Sequence, residues 1–308
     1  MKYLITGGCG FIGSHIAEAL VKEDHDVVVF DNLSSGYEKN ISSIRSRVEF
    51  VKGDIRDPEA LSCAMKGADF VFHEAALVSV FDSVERPADN NAINITGTLN
   101  VLSAARANKV KRVVMASSAA VYGNEPSLPK KEEMRPEPES PYALAKITDE
   151  YYMHVFHALY GLETVALRYF NVYGPRQDPT SMYSGVISKF SDVLKKGAVP
   201  VIFGDGKQSR DFVFVKDVVR ANLLAMTSPE AGKSGVFNVA TGRAVSLLEL
   251  LQVMCGLLGK KVEPLFKDAR AGDIRHSLAD ISRARAGLGY SPQYSMEEGL
   301  KELFALTP

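Results

Sequence analysis

A chain of 308 residues with 46% hydrophobic side chains suits one large or two modest domains and excludes disorder as the default. The formal net charge of −1, with basic runs no longer than pairs such as Lys130-Lys131 and Lys195-Lys196, excludes a nucleic-acid footprint, and no apolar run is long enough to span a membrane. Three scattered cysteines without a Cys-x-x-Cys pair point to a reduced, cytoplasmic setting, and six dispersed histidines build no metal set.

In chain order, Tyr3-Leu4-Ile5 reads as the first strand, entered straight from Met1-Lys2 as a domain start and not a signal peptide. Thr6-Gly7-Gly8-Cys9-Gly10-Phe11-Ile12-Gly13 follows and opens a helix from Phe11 to Lys22. Glycines at 7, 10 and 13 let the backbone turn tightly and approach a pyrophosphate. The helix start adds N–H groups and a positive dipole end. Gly7, Gly10, Phe11, Ile12 and Gly13 are therefore the candidate cofactor cradle.

Val27 to Phe30 is a second strand ending at Asp31, close to the distance of about 20 residues expected for an acid that binds a ribose 2′-hydroxyl. A carboxylate there repels a 2′-phosphate, which favours NAD over NADP. Asn32, Ser35 and Gly36 share its strand-end loop. Val48 to Val51 is a third strand, after which Asp54 is placed to reach the adenine edge, with Ile55 beside it as a further cofactor-binding candidate. Phe70 to Phe72 and Val113 to Met115 follow as strands, and Asn94 to Asn108 between them has helical spacing.

A surface loop rich in Pro and Glu leads from Pro126 to Ser140-Pro141, a helix N-cap and first helical residue for a helix from Tyr142 to Tyr160. Tyr142 and Lys146 lie on one face of it. A lysine ammonium beside a tyrosine hydroxyl favours the phenolate, so Tyr142 is a candidate general base. With 12 tyrosines, the spacing alone arises by chance about once, and it gains meaning only beside a redox cofactor and a third polar residue.

Thr164 to Leu167 is a further strand. Strands alternating with helices mean a parallel sheet covered on both faces, which binds ligands at the carboxyl ends of its strands. The second half is less regular. Val213 to Met226 is a strand passing into a helix, Val236 to Val239 a strand, and Leu247 to Leu258 and Ser295 to Leu306 are helices.

The Gly-x-x-Gly-x-x-Gly spacing, Asp31-Asn32, Gly53-Asp54-Ile55, Ser117-Ser118, Tyr142-x-x-x-Lys146 and Leu167-Arg168-Tyr169-Phe170-Asn171 together resemble the extended short-chain dehydrogenases over essentially the whole chain. Within them the chain is most similar to the UDP-sugar 4-epimerases. The resemblance implies an α/β fold, a Rossmann-type doubly wound parallel sheet with a smaller α+β substrate-binding C-terminal domain. Residues 1–171 with 210–240 would bind NAD, and 172–209 with 241–308 the UDP-sugar.

The same resemblance implies Tyr142 as the base, Lys146 as its electrostatic partner and ligand of the nicotinamide ribose, and Ser118 as a partner of the sugar 4-hydroxyl. It places Ala75, Ala76, Asn94 and Tyr169 at the cofactor, although Glu74 and Leu77 depart from the usual neighbours and Cys9 replaces an alanine. It implies a diphosphate contact from Asn171 and a clamp of Arg210 and Arg270, whose planar forks suit phosphate. Asp273 would hold the uridine ribose and Val201 and Phe203 the uracil, with Ser79, Val186 and Lys189 completing the substrate site.

Ala119-Ala120 stand where related dehydratases and decarboxylases carry acids, and alanine moves no proton. Ser277 matches a gate residue beside the sugar 2-substituent, and a serine leaves room for an N-acetyl group. Arg176-Gln177-Asp178-Pro179 with Tyr183-Ser184-Gly185-Val186-Ile187 is also similar to epimerases of N-acetylhexosamines. The expectation is interconversion of UDP-GlcNAc and UDP-GalNAc with some activity on UDP-glucose and UDP-galactose. A strict UDP-glucose 4-epimerase is the second reading. A UDP-glucuronate 4-epimerase, with Arg176 or Arg275 meeting the carboxylate, is the third. A non-catalytic nucleotide-binding protein is the alternative from another class, opposed by the intact Ser, Tyr and Lys. A homodimer through the helices at Asn94 and Tyr142 is expected by analogy.

Overall fold

A computed structural model describes residues 1–178, 185–269 and 274–306. Arg270, Asp273 and Tyr183 lie outside the described residues. The chain begins β1 (Lys2–Thr6), α1 (Phe11–Lys22), β2 (Asp26–Asp31), a 3₁₀ stretch (Glu38–Arg47) and β3 (Val48–Lys52). It continues through α2 (Pro58–Ala64), β4 (Phe70–His73), α3 (Val80–Glu85), α4 (Pro87–Asn90), a π-helical turn (Asn91–Thr96) and α5 (Gly97–Ala107). Then come β5 (Arg112–Ser118), α6 (Pro141–Tyr160), β6 (Glu163–Tyr169), β7 (Asn171–Tyr173) and α7 (Val186–Lys195). The short strands β8 (Val201–Phe203), β9 (Ser209–Arg210) and β10 (Phe212–Phe214) lead into α8 (Val215–Thr227) and β11 (Lys233–Val239). The last part holds β12 (Val245–Ser246), α9 (Leu247–Leu257), β13 (Leu265–Lys267), α10 (Ser282–Leu288) and α11 (Met296–Leu306).

Seven strands form one parallel sheet in the order β11-β6-β5-β4-β1-β2-β3. Its central strands are mostly apolar because helices cover both faces. Ile16 and Leu20 of α1 with Val218 and Ala225 of α8 bury one face, and Leu61 of α2, Leu102 of α5 and Phe156 of α6 bury the other. A third core gathers Ile187 and Phe190 of α7, Ile202 of β8, Leu250 and Met254 of α9 and Leu300 of α11. Tyr173 of β7 and Phe214 of β10 belong to it.

The order reverses between β1 and β4, so a crevice opens at their carboxyl ends, where doubly wound sheets bind ligands. α6 starts at Pro141 as expected, with Ser140 capping it by accepting the Ala143 amide at 3.1 Å. One boundary differs from the spacing-based expectation: Asn94 falls in the π-helical turn and not in α5. Among the described residues no helix is long and apolar enough to cross a membrane, and no His, Cys, Asp and Glu group could hold a metal.

Candidate active site

The glycine loop fills the crevice end of β1. Gly7 has φ +70°, and a Cβ on it would sit 2.7 Å from the Ala75 amide nitrogen. A Cβ on Gly13 would sit 2.3 Å from the Gly7 carbonyl oxygen, so only glycine lets α1 start this close to the loop. Gly36 packs on the same loop, with a Cβ 2.8 Å from the Cys9 carbonyl carbon. Burial pushes the Cys9 thiol up to about 12, with Asp31 adding to the rise, which leaves it inert.

Asp31, buried at the end of β2, accepts the Cys9 amide on Oδ2 at 2.9 Å and the Leu33 amide on Oδ1 at 2.8 Å. Burial raises its carboxyl above the usual range while those two amides pull it back. Two lone pairs stay open, enough for a ribose diol. Asp54 is different. Its Oδ1 takes the Arg56 amide and Nε, and its Oδ2 takes Arg56 Nη2 and Asn32 Nδ2, all within 2.7–2.9 Å. Every lone pair is engaged, and Arg56 holds the carboxyl well below the usual carboxylate range. The expected contact with an adenine edge therefore requires Asp54 to give up a bond it already has. Ile55 is buried under Gly97, and Ser35 is exposed.

The carboxyl end of β4 carries His73, Glu74, Ala75 and Ala76. Asn94 accepts the Leu77 amide at 2.8 Å and donates to the Leu77 carbonyl at 3.0 Å and to Asn90 Oδ1 at 2.8 Å. It thus pins the loop that displays Ala75 and Ala76. Tyr169 has its hydroxyl engaged twice, donating to Glu74 Oε1 at 3.0 Å and accepting from Asn222 Nδ2 at 2.7 Å. Burial pushes the Glu74 carboxyl up to about 7, opposed by the Tyr169 hydroxyl and the Lys146 charge. Glu74, seen in the sequence only as a departure, is here a member of the site.

Ser118 ends β5 and caps the next turn by accepting the Ala120 amide at 3.2 Å. Lys146, buried on α6, donates to the Ala116 carbonyl at 2.9 Å, two residues before Ser118. Tyr142 lies one turn earlier on α6, with its amide donating to Ser83 Oγ at 3.1 Å. Ser79 caps α3 alongside, accepting the Asp82 amide at 2.9 Å. Lys146 is thus tied to β5 two residues from Ser118, and Tyr142 lies one turn before it on the same helix. Behind them Arg168 donates to Glu150 through Nε and Nη2 at 2.9 and 2.7 Å, and Ser117 donates to the same carboxylate at 2.5 Å. Sequence reading missed this lock, because its members are 18 and 33 positions apart.

A separate cavity of about 540 Å³ opens over the third core. Asn171, Val186, Lys189, Val201, Phe203 and Arg210, all named from the sequence, line it together. Arg210 donates to the Ser209 carbonyl at 2.9 Å. Ser277 stands beside it, its amide donating to the Ser209 carbonyl at 3.0 Å. Arg176 pairs with Glu18 and Ser14, and Arg275 pairs with Asp205 at 2.8 Å.

A glycine cradle, a ribose-type acid and a Ser, Tyr and Lys set on one doubly wound sheet define an NAD-dependent enzyme of the short-chain dehydrogenase class. The family described as NAD dependent epimerase/dehydratase family matches residues 3–240. A putative UDP-glucose 4-epimerase of Methanocaldococcus jannaschii is 41% identical over 302 residues, covering 97% of this chain and 96% of its own. A UDP-N-acetylglucosamine 4-epimerase from Methanobrevibacter ruminantium M1, solved with UDP-N-acetylmuramic acid, superimposes with TM-score 0.95 at 43% identity, covering 99% of this chain and 97% of its own. A UDP-glucose 4-epimerase of Thermotoga maritima, solved with UDP-glucose, gives TM-score 0.94 at 40% identity, covering 99% and 98%. The chain belongs to this NAD-dependent epimerase family, in the UDP-sugar 4-epimerase branch of the extended short-chain dehydrogenases, and is an isomerase.

Proposed function

We propose that this 4-epimerase interconverts UDP-GlcNAc and UDP-GalNAc and also turns over UDP-glucose and UDP-galactose. The observation that carries the reading is the small, part-buried Ser277 beside Arg210, where a bulky ring would close the space around the sugar 2-substituent. Likeness to the Methanobrevibacter N-acetylglucosamine enzyme supports it.

The part of the chain that builds the main sheet holds the cofactor. Gly7, Gly10 and Gly13 cradle the pyrophosphate, Asp31 takes the adenosine ribose, and Lys146 meets the nicotinamide ribose. NAD, when bound, supplies the hydride acceptor and donor for C4 of the sugar. The cavity over the third core takes the nucleotide, with Val201 and Phe203 against the uracil and Asn171, Lys189 and Arg210 at the diphosphate. Tyr142 Oη removes the 4-hydroxyl proton and later returns it. Ser118 Oγ orients that hydroxyl, and Lys146, one turn along α6 from Tyr142, is the base's electrostatic partner. Ala119 and Ala120 provide no second acid or base, so chemistry stays at C4. Clamping the diphosphate while few groups hold the hexose lets the 4-keto sugar present either face.

The uronate alternative is opposed by the ion pairs that occupy Arg176 and Arg275. Leu144, Tyr151, Val155 and Leu159 make an exposed apolar stripe along α6, which supports a homodimer through that helix. Three free cysteines support a reducing, cytoplasmic setting. The test is to incubate the purified protein with each UDP-hexose, UDP-N-acetylhexosamine and UDP-glucuronate and resolve the epimers by chromatography. Turnover of UDP-glucose without UDP-GlcNAc refutes the open gate.

A further inference from the structure

Three elements converge on the Lys146 ammonium. β5 presents the Ala116 carbonyl at 2.9 Å, α6 presents Asp149 one turn on, with Oδ2 4.0 Å from the ammonium, and the end of β4 brings up His73 and Glu74. Asp149 is fully enclosed, and among the described residues neither of its oxygens makes a well-formed hydrogen bond, since the Thr98 hydroxyl beside it is engaged with His73 Nε2 at 2.9 Å. A buried carboxyl without partners opposes folding, and an apolar side chain would fill the same space without that cost. The charged group paired with it is Lys146.

Resting on the epimerase reading, we propose that Asp149 is a positioning residue for the reaction, a buried counter-charge that anchors the Lys146 ammonium from behind. The groups facing Asp149 are Lys146 and Glu150 on its own helix and the Thr98 hydroxyl on α5. Glu150 is committed to Arg168 and Ser117. Burial pushes the Asp149 carboxyl up to about 7, with Lys146 and Thr98 pulling it back and Glu150 adding to the rise. His73, held near 3 by burial and then by Lys146, is neutral at working pH. The counter-charge therefore appears as pH rises through neutrality and is lost below it.

The experiment uses the full chain with Asp149→Asn and Asp149→Glu. Wild-type kcat rises between about pH 6 and 8 as Asp149 ionises. Asp149→Asn stays on the lower plateau, about tenfold slower at pH 8, with KM for the UDP-sugar within about twofold, and Asp149→Glu restores the slope. Glu74→Gln, measured in parallel, separates the other acid that titrates near neutrality.

A second readout needs no substrate. An acid whose native pKa is raised favours the folded state fully below its unfolded pKa of about 4, and that benefit is lost as pH climbs to about 7. The Tm of Asp149→Asn minus that of wild type therefore increases between about pH 4 and 7. A wild-type pH slope in the Asn variant, or a Tm difference that is the same at every pH, overturns the proposal. A protein that turns over no UDP-sugar would overturn the functional reading while the Tm arm still reported on Asp149.

Discussion

Glu150→Gln removes the counter-charge of an enclosed ion pair behind the Ser, Tyr and Lys set. Arg168 and Glu150 have side chains only 4% exposed each, joined by bonds of 2.9 and 2.7 Å, and Ser117 adds a third at 2.5 Å. Without the carboxylate the guanidinium keeps the Tyr122 ring, 4.8 Å away, and a weak bond to the Glu132 carbonyl at 3.5 Å. Breaking a buried pair from one side costs about 3–5 kcal/mol. For a chain of this size that lowers Tm by roughly 5–8 °C, read by differential scanning calorimetry. The perturbation also reaches the chemistry, because Ser117 pairs with Arg168 and Ser118 with Tyr169 across β5 and β6. Replacing both partners by Met recovers most of the loss, since an apolar pair in such a site is neutral or better. A single variant within about 1 °C of wild type, or a double variant no better than the single, refutes the reasoning.

Gly13→Ala drives a methyl against the Gly7 carbonyl oxygen, and overpacking of about 1–3 kcal/mol should weaken NAD retention tenfold or more, measured as bound nucleotide after gel filtration. Tyr142→Phe leaves NAD bound and lowers kcat by about 10²–10⁴, and near-normal turnover would remove it as the base. Ser277→Tyr abolishes turnover of UDP-GlcNAc and spares UDP-galactose, and equal survival of both substrates would sink the gate assignment.

The local signals were strong wherever a function needs contiguous residues. The glycine loop, Asp31 at a strand end and the capped start of α6 could be read from spacing, because each rests on backbone rules that act over a few positions. Sequence places Asn94 near the cofactor, and what spacing does not show is that its side chain holds Leu77, a partner 17 positions away. Spacing places Asp54 at a strand end beside the cofactor crevice, and only the fold brings Asn32, 22 positions away, onto its carboxylate alongside Arg56.

By itself, then, the amino-acid sequence determined the class of fold and the dinucleotide, and it put forward the reacting set, since periodicity, glycine geometry and charge repulsion act within short segments. Only the tertiary structure decided which of those groups are available and which are already engaged. Burial and pairing across the sheet do that work. They set Glu74 and Asp149 on either side of Lys146 and lock Glu150 to Arg168, and they gather Asn171, Lys189 and Arg210 from separate elements around one cavity.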